Sequence, residues 1–174
     1  RIVPGRLPSS EQQAIEEQLG YRDDLMISAA PYSLWAIETS ADRAHQTLSF
    51  AGAAPGMLLT RDISRHRELK LRLLNGTHTF SCALAYLSGF VTVREAMEDE
   101  SLGRFIRDLM TLEITPAITG DDISGEEALA FAARLRDRFR NPFIVHEWLR
   151  ISMQYTFKMR MRNIPLILAH YRKS

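Results

Sequence analysis

The sequence contains a single cysteine, Cys82, among its 174 residues. Without a second thiol the chain cannot form an internal disulfide, and this cysteine usage is compatible with a reducing cytoplasm, where we expect the protein to work. No apolar run approaches the roughly 20 residues that a membrane-spanning helix requires. The longest candidate, residues 82–90, is short and contains a serine and a glycine. We therefore expect neither a disulfide nor a membrane segment.

The sequence also lacks an excess of charge of one sign, because 22 lysines and arginines face 21 aspartates and glutamates. No global field draws such a chain to nucleic acid or to a membrane surface, so we expect neither as a partner. An apolar helical neighbourhood should keep the Cys82 thiol neutral and inert. We expect no metal site, because the histidines lie scattered, without a cysteine or carboxylate at ligand spacing. They are His45, His66, His78, His146 and His170.

A glycine-rich turn for a dinucleotide is missing too. The usual device is G-x-G-x-x-G between a strand and a helix, which places the pyrophosphate at the helix N-terminus. Gly52 and Gly56 come closest and have the wrong spacing. The chain begins with RIVPG, without an initiator methionine or a signal-peptide layout. We interpret this start as the loss of an upstream part, the alternative being the remnant of an expression tag.

The apolar content, 45% of the residues, is sufficient for the core of one globular domain over residues 1–174. Its N-terminal part combines one helix with several strands. Two serines before an acidic helical segment and a glycine after it predict a capped helix with a glycine stop. The capping serines are Ser9 and Ser10, the predicted helix is 11–19, and the glycine stop is Gly20. Three strands are predicted after it, at 25–30, 34–39 and 56–63, and the first two are hinged near Pro31.

From about residue 64 onward the pattern is almost entirely helical. Thr92 with Glu95, and Ser124 with Glu127, have the spacing of capping boxes. We therefore predict a mainly α domain with a small β element near its N-terminus. The predicted helices are 68–87 closed by Gly89, 102–113 ended by Pro116, 124–139, and a segment opened by Asn141 and Pro142 that runs to about 162 before Pro165 interrupts it.

Three polar residues stand out in the leucine-rich segment KLRLLNGTHT: Lys70, Asn75 and His78. A lysine can exchange a proton with an alcohol, and asparagine and histidine can donate hydrogen bonds to an oxygen that gains negative charge. In an α-helix Asn75 and His78 lie about 60° apart and share a face, whereas Lys70 lies about 140° from Asn75. A straight helix therefore does not bring all three together, and the lysine side chain would have to reach over the first turn.

A structural interpretation of the same residues remains open. A histidine on an amphipathic helix is commonly a boundary residue, a lysine before an apolar helix is commonly solvated, and Asn-Gly is commonly a turn. On that interpretation the chain is a non-catalytic helical interaction module.

The spacing Lys-x4-Asn-x2-His in KLRLLNGTH resembles the signature of the polyol-specific long-chain dehydrogenases, the mannitol dehydrogenase family. Family blocks are also similar to RIVPG, LWAIE, GFVTVREAM, RFRNPFIVH and TFKMRMRNIP, so the resemblance spans essentially the whole chain. It implies a helical substrate domain similar to the C-terminal domain of 6-phosphogluconate dehydrogenase, with Lys70 as general acid/base and with Asn75 and His78 positioning the substrate oxygen. It also implies NAD as cofactor, bound mainly by an N-terminal Rossmann domain of the same polypeptide that this chain lacks.

Within the family, LLNGTHT and FKMRMRNIP are most similar to the tagaturonate reductase (altronate oxidoreductase) branch, which implies a sugar acid as the small-molecule substrate. Mannitol dehydrogenases carry an acidic pair at the end of the tryptophan strand, where this chain has Glu38-Thr39, so substrate contacts from that position are not carried over. Fructuronate and mannitol remain the alternative substrates, and we expect this chain alone to be inactive.

The basic residues of the C-terminal segment provide a further clue. Lys158 and Arg162 are four residues apart and share a helix face, so either or both could bind the carboxylate of a sugar acid. The alternative is a solvated cationic face near a helix C-terminus. Arg140 and His146 are further candidates on weaker grounds.

Overall fold

The computed structural model describes residues 6–28, 34–54, 56–142 and 144–173. The chain divides into two compact units, Arg1–Ile63 and Ser64–Ser174. The first contains the small β element and the second is helical, which confirms the predicted fold class.

The first unit is built on a parallel pair of short strands. Trp35 pairs with Met57 and Glu38 pairs with Thr60 at the two ends of the ladder. The predicted strands 34–39 and 56–63 are therefore present but shorter. The unit contains helix α1 (Ser9–Leu19), strand β1 (Trp35–Glu38), helix α2 (Asp42–Thr47), a 3₁₀ turn (Ser49–Ala53) and strand β2 (Met57–Thr60).

Two local predictions for the first unit were only partly right. Gly20 adopts the left-handed conformation at φ 75° and ends α1, as predicted, but the N-cap is Pro8, without a side-chain cap, because the serines are already helical. The predicted strand 25–30 is wrong for residues 25–27, where the chain turns and Met26 N donates to Asp23 O. Residue 28 lies in a β-bridge, as the strand prediction requires, whereas residues 29–30, the hinge at Pro31 and RIVPG lie outside the described residues.

The second unit consists of short helices that follow one another almost without a break. Three of the junctions between helices are π-helical segments. The α-helices are α3 (Ser64–Leu69), α4 (Thr77–Leu87), α5 (Val93–Glu98), α6 (Glu100–Asp108), α7 (Thr115–Ile118), α8 (Gly125–Phe139), α9 (Trp148–Ser152), α10 (Tyr155–Lys158) and α11 (Ile164–Lys173). The π segments, which we call π1 to π3, are Lys70–Gly76, Leu109–Ile114 and Met159–Asn163.

The core of the second unit gathers apolar side chains from nearly every one of these helices. Leu73, Ile106, Met110 and Trp148 are fully buried within it. Because Leu73 and Met110 lie on π segments, these segments form part of the packed interior. The core therefore holds in place the segments π1 and α4, which carry the polar residues of interest.

The two predicted capping boxes differ in outcome. Thr92 and Glu95 form a complete box at the start of α5, as predicted. At the start of α8 the Ser124 hydroxyl accepts from Glu127 N, but the Glu127 carboxylate binds the Arg65 guanidinium, with N–O distances of 2.8 and 2.9 Å to Nε. The second box is thus half formed, because an ion pair from α3 takes its carboxylate.

Neither Pro116 nor Pro165 ends a helix, so both predicted breaks were wrong. Each proline lies at the second position of a short α-helix, α7 or α11, that follows a π segment directly. A proline removes the hydrogen bond to the carbonyl four residues earlier, which is Met161 O for Pro165. That carbonyl instead accepts from the Arg72 guanidinium at 2.9 Å.

The helix predicted to start at Asn141 and Pro142 begins only at Trp148. The chain at the start of this helix pairs with the chain at the start of α5: Val93 N donates to His146 O at 2.9 Å, and Trp148 N donates to Val91 O at 3.0 Å. The pairing uses His146 O and Trp148 N, so the chain just ahead of α9 is extended and the helix starts later than Asn141 and Pro142 predicted. Phe143 lies outside the described residues.

Among the described residues, the helices are all too short or too polar to span a bilayer.

Candidate functional site

The π segment π1 changes the geometry expected for the conspicuous polar residues. In a π-helical turn the amide of residue i+5 bonds to the carbonyl of residue i, so residues five apart follow one another on successive turns. Lys70 and Asn75 are five apart and both lie in π1. The straight α-helix assumed from the sequence was wrong here; π geometry is expected to bring Lys70 and Asn75 closer to one face than an α-helix would, with His78 following at the start of α4.

Exposure increases along this face towards its N-terminal end. His78 is buried, Asn75 is half-buried and Lys70 is exposed. Within the described part of the chain, the Lys70 ammonium forms no hydrogen bond or ion pair. The lysine thus stands at the solvent end of a face whose inner end is a buried imidazole.

The His78 ring is held in an aromatic box. It stacks on Phe139 with ring centroids 4.2 Å apart and an interplanar angle of 15°. His146 approaches it edge-on at 4.8 Å and Trp148 edge-on at 6.1 Å. His146 reaches this place because its segment pairs with the chain before α5. The box fixes the orientation of the imidazole without using its polar atoms.

The buried His78 ring is neutral near pH 7. Burial is the main cause that lowers its pKa well below the ordinary value, and neighbouring positive charge lowers it further. Its Nε2 atom is buried and has no hydrogen-bond partner among the described residues. A neutral imidazole with one unused nitrogen is equipped to bond a substrate oxygen. The groups that contribute the positive charge are, in order of effect, His146, Arg162, Arg138 and Lys158.

The pH dependence of stability should report this burial. A histidine whose pKa is lowered on folding binds fewer protons in the native state than in the unfolded state, so stability falls as the pH drops below the unfolded value of about 6.5. We expect the free energy of unfolding, from urea titrations between pH 7.5 and 5, to decline with a slope approaching about 1.4 kcal/mol per pH unit for this one proton. The pKa of His146 is also lowered, mainly by desolvation, and adds in the same direction.

Replacement of His78 by glutamine removes one of these two groups and should flatten the pH profile. A variant as pH-sensitive as the parent would show that His78 is not the buried titrating group.

Lys158 and Arg162 lie close enough to His78 to lower its pKa, so the structure brings these predicted residues together. Lys158 Nζ donates to Ile151 O at 2.8 Å, and Arg162 Nη1 donates to Thr79 Oγ1 at 3.2 Å. Desolvation is the main cause that lowers the pKa of each cation. Neither forms an ion pair with a described residue. Two half-buried cations without a counterion are typical of a site that accepts an anion.

Reciprocal hydrogen bonds join π1 to π3. Arg72 Nη1, on π1, donates to the carbonyls of Met161 and Arg162, each at 2.9 Å. Asn163 Nδ2, on π3, donates back to Gly76 O at 3.0 Å. Each segment therefore satisfies carbonyls of the other, and the face that carries Lys70 and Asn75 is fixed relative to the segment that carries Arg162.

Several features of this arrangement have no sequence signal. Thr79 and Phe139 reach the site through packing, and no motif marks either of them.

Arg140 is the exposed C-cap residue of α8, and no described contact places it at His78, whereas His146 touches the His78 ring. The Cys82 thiol is buried, and desolvation raises its pKa, which keeps it protonated.

No group of three or more histidine, cysteine, aspartate or glutamate side chains suited to a metal ion occurs among the described residues. Proton exchange and hydrogen bonding to a substrate oxygen are the chemistry that the lysine, amide and imidazole can provide without one.

A known protein family matches the helical unit of the chain. The family model described as mannitol dehydrogenase C-terminal domain matches residues 62–174. An altronate oxidoreductase of Halalkalibacterium halodurans is 43% identical over 165 residues, covering 95% of this chain and 31% of that protein. An altronate oxidoreductase of Bacillus subtilis is 37% identical, covering 96% of this chain and 33% of that protein. The chain thus spans about one third of the length of these curated relatives.

Solved structures share the fold. The chain superposes on D-sorbitol dehydrogenase in substrate-free form with a TM-score of 0.77 at 20% identity, covering 96% of this chain and 33% of that one. It superposes on Pseudomonas fluorescens mannitol 2-dehydrogenase, solved as a ternary complex with NAD and D-mannitol, with a TM-score of 0.68 at 23% identity over the same shares.

Proposed function

Because the chain belongs to the mannitol dehydrogenase C-terminal domain family, we propose that it is the substrate-binding and catalytic domain of an NAD-dependent oxidoreductase that interconverts tagaturonate and altronate. One observation carries the proposal: a neutral, buried His78 with an unpartnered Nε2 lies beside two half-buried cations that have no counterion among the described residues. The names of the relatives that are 37% and 43% identical support the choice of substrate.

The oxygen end of the site is the face formed by Lys70, Asn75 and His78. Bound NADH would supply the hydride for ketone reduction, and this chain would then have to deliver a proton to the carbonyl oxygen. Lys70 supplies that proton from its ammonium group and recovers it in the reverse direction. Asn75 and His78 donate hydrogen bonds to the oxygen while its negative charge develops. The exposed position of Lys70 allows it to exchange protons with solvent between turnovers.

The carboxylate end of the site is formed by Lys158 and Arg162. A hexuronate carries a carboxylate that a neutral hexitol lacks, and charge-assisted hydrogen bonds from these two cations would hold it. Because both cations lie within electrostatic range of His78, a carboxylate bound there would leave the rest of a short sugar chain near the oxygen-binding face.

The described residues do not fit the pyrophosphate of a dinucleotide. The described strands are β1 and β2, the segment between them is a 3₁₀ turn and a short helix, and no G-x-G-x-x-G sequence occurs. We therefore propose that NAD binds mainly to an N-terminal Rossmann domain of the same polypeptide. This chain by itself should show no NADH-dependent reduction, and the substrate would lie between the two domains.

A substrate panel tests the assignment in the longer polypeptide. We expect kcat/KM for NADH-dependent reduction to be highest with tagaturonate and about 100-fold lower with fructose, since two charge-assisted bonds to the carboxylate are lost. Fructuronate, which keeps the carboxylate but changes the stereochemistry, should lie between them. A preference for fructose would contradict the assignment and favour a mannitol 2-dehydrogenase.

A non-catalytic helical interaction module remains the alternative from another class, because Lys70 is exposed and unpaired among the described residues. The sequence upstream of Arg1 separates the two. A strand, a glycine-rich loop and a helix there support the dehydrogenase, whereas their absence supports the module.

A further inference from the structure

The buried threonine Thr79 connects the two ends of the proposed site. Its side-chain hydroxyl donates to Asn75 O at 2.9 Å and accepts from Arg162 Nη1 at 3.2 Å. Thr79 is fully buried, so water does not compete for these bonds. The Thr79 hydroxyl thus links two parts of the proposed site. One is the segment that positions the Asn75 amide, and the other is the Arg162 guanidinium, which is proposed to bind the carboxylate.

Arg162 is held at two points. Its backbone carbonyl accepts from Arg72 at 2.9 Å, and among the described residues the Thr79 hydroxyl is the only hydrogen-bond partner of its guanidinium. A free arginine side chain loses rotamer entropy when it is ordered by a ligand. Because the Thr79 bond uses one of five N–H donors, the guanidinium is oriented in advance while its other donors remain available.

We propose that Thr79 is a positioning residue that determines specificity for a carboxylate-bearing substrate, by fixing the Arg162 guanidinium in the orientation that binds the carboxylate. The inference rests on the proposed function and names the residue through which the acidic substrate is distinguished from a neutral polyol. Thr79 acts through Arg162 and does not itself touch the substrate.

Thr77 provides a matched control on the same helix. Like Thr79 it is a fully buried threonine of α4, but its hydroxyl has no hydrogen-bond partner among the described residues. Replacement of either threonine by valine keeps the shape and removes the hydroxyl. A difference between the two valine variants therefore measures the hydrogen bonds of Thr79 rather than the packing of a threonine-sized side chain.

The test compares Thr79→Val, Thr79→Ser, Thr77→Val and Arg162→Met in the longer polypeptide, with tagaturonate and fructose as substrates. We expect Thr79→Val to raise KM for tagaturonate about tenfold with kcat little changed, since a hydrogen bond to a charged group is lost. The efficiency with fructose should fall clearly less than that with tagaturonate, because the bond to Asn75 O is lost for both substrates but only tagaturonate carries a carboxylate for Arg162 to bind. Thr79→Ser should restore KM, and Thr77→Val should match the parent.

Thermal unfolding of each variant shows whether it folds. Should Thr79→Val fail to fold, Thr79→Cys replaces it, because cysteine keeps a similar volume but offers only a weak acceptor. The inference is overturned if the valine or cysteine variant loses efficiency equally on both substrates, or if Thr79→Ser does not rescue it, since either result indicates packing alone.

Failure of the inference and failure of the proposed function are distinguishable. If the parent prefers tagaturonate and Arg162→Met abolishes that preference, but Thr79→Val leaves KM unchanged, only the role of Thr79 is refuted. If the parent shows no preference for tagaturonate and Arg162→Met changes nothing, the proposed carboxylate site is refuted and the role of Thr79 with it.

Discussion

Replacement of Lys70 by methionine is expected to lower kcat for tagaturonate reduction in the longer polypeptide by about 10²- to 10⁴-fold, the usual contribution of a positioned proton donor. Methionine keeps an unbranched side chain in π1 and removes the ammonium group. Because Lys70 is exposed and forms no bond with a described residue, its removal should leave the free energy of unfolding unchanged within about 0.5 kcal/mol. Steady-state kinetics and urea unfolding measure the two effects separately.

Arg67→Met is the matched control for this experiment, since Arg67 is an exposed cation on α3, one turn before Lys70. Its kcat should stay within about twofold of the parent value, as is usual for an exposed surface substitution. NADH affinity should be unaffected in both variants, because the dinucleotide is proposed to bind to the other domain. A Lys70→Met enzyme that turns over at the parental rate would remove the lysine from the mechanism.

The largest stability effect is expected at Arg72. Its side chain is only 13% exposed and donates to Glu68 and to the carbonyls of Met161 and Arg162. Replacement by methionine leaves two carbonyls of π3 without this donor and the Glu68 carboxylate without its partner. We expect a loss of about 3–5 kcal/mol in the free energy of unfolding, chiefly from the two hydrogen bonds that the charged guanidinium donates to carbonyls, because the Glu68 side chain is itself 41% exposed. Urea unfolding at neutral pH measures it.

Arg94→Met provides the comparison. Arg94 forms a similar ion pair within one helix, with Nε 2.7 Å from Glu98, but its side chain is 46% exposed. Exposed pairs of this kind contribute at most about 1 kcal/mol. If the two arginine variants lose the same small amount of stability, the bonds between π1 and π3 do not hold the segments together.

The parts of the fold that the sequence predicted correctly depend on local chemistry. Gly20 and Gly89 have positive φ values, 75° and 91°, which glycine adopts without strain, and both follow the helices that they were expected to end. The capping box of Thr92 and Glu95 involves only residues three apart. Such signals are readable because all partners of the interaction lie within one turn of chain.

The π segments could not be predicted, because the interactions that favour them are distant in sequence. Arg72 supplies the hydrogen bond that Pro165 cannot give to Met161, across 89 residues. The expectation that Pro165 interrupts the helix follows from local rules, and a tertiary donor overrides it. The local helix-start signal at Asn141 and Pro142 failed as well, and the chain ahead of α9 instead pairs, through His146 and Trp148, with the chain at the start of α5.

The site was predictable to the extent that motif spacing reveals it. The resemblance selects Lys70, Asn75 and His78. Helix periodicity pairs Lys158 with Arg162. That these two cations lie within electrostatic range of His78 is apparent only in the structure. Thr79 could not be found, because a threonine within an apolar helix is usually a packing residue, and its partner Arg162 lies 83 positions away. The assignment of catalytic and substrate-binding roles stays a prediction that the experiments above test.

A crystal structure of the longer polypeptide with bound altronate tests the central claim most directly. We expect Lys70 Nζ, Asn75 Nδ2 and His78 Nε2 to lie about 2.6–3.2 Å from the same substrate oxygen, with the carboxylate on Lys158 and Arg162. Altronate bound elsewhere, with the Lys70 ammonium in solvent and no oxygen shared among these three nitrogens, would contradict the account.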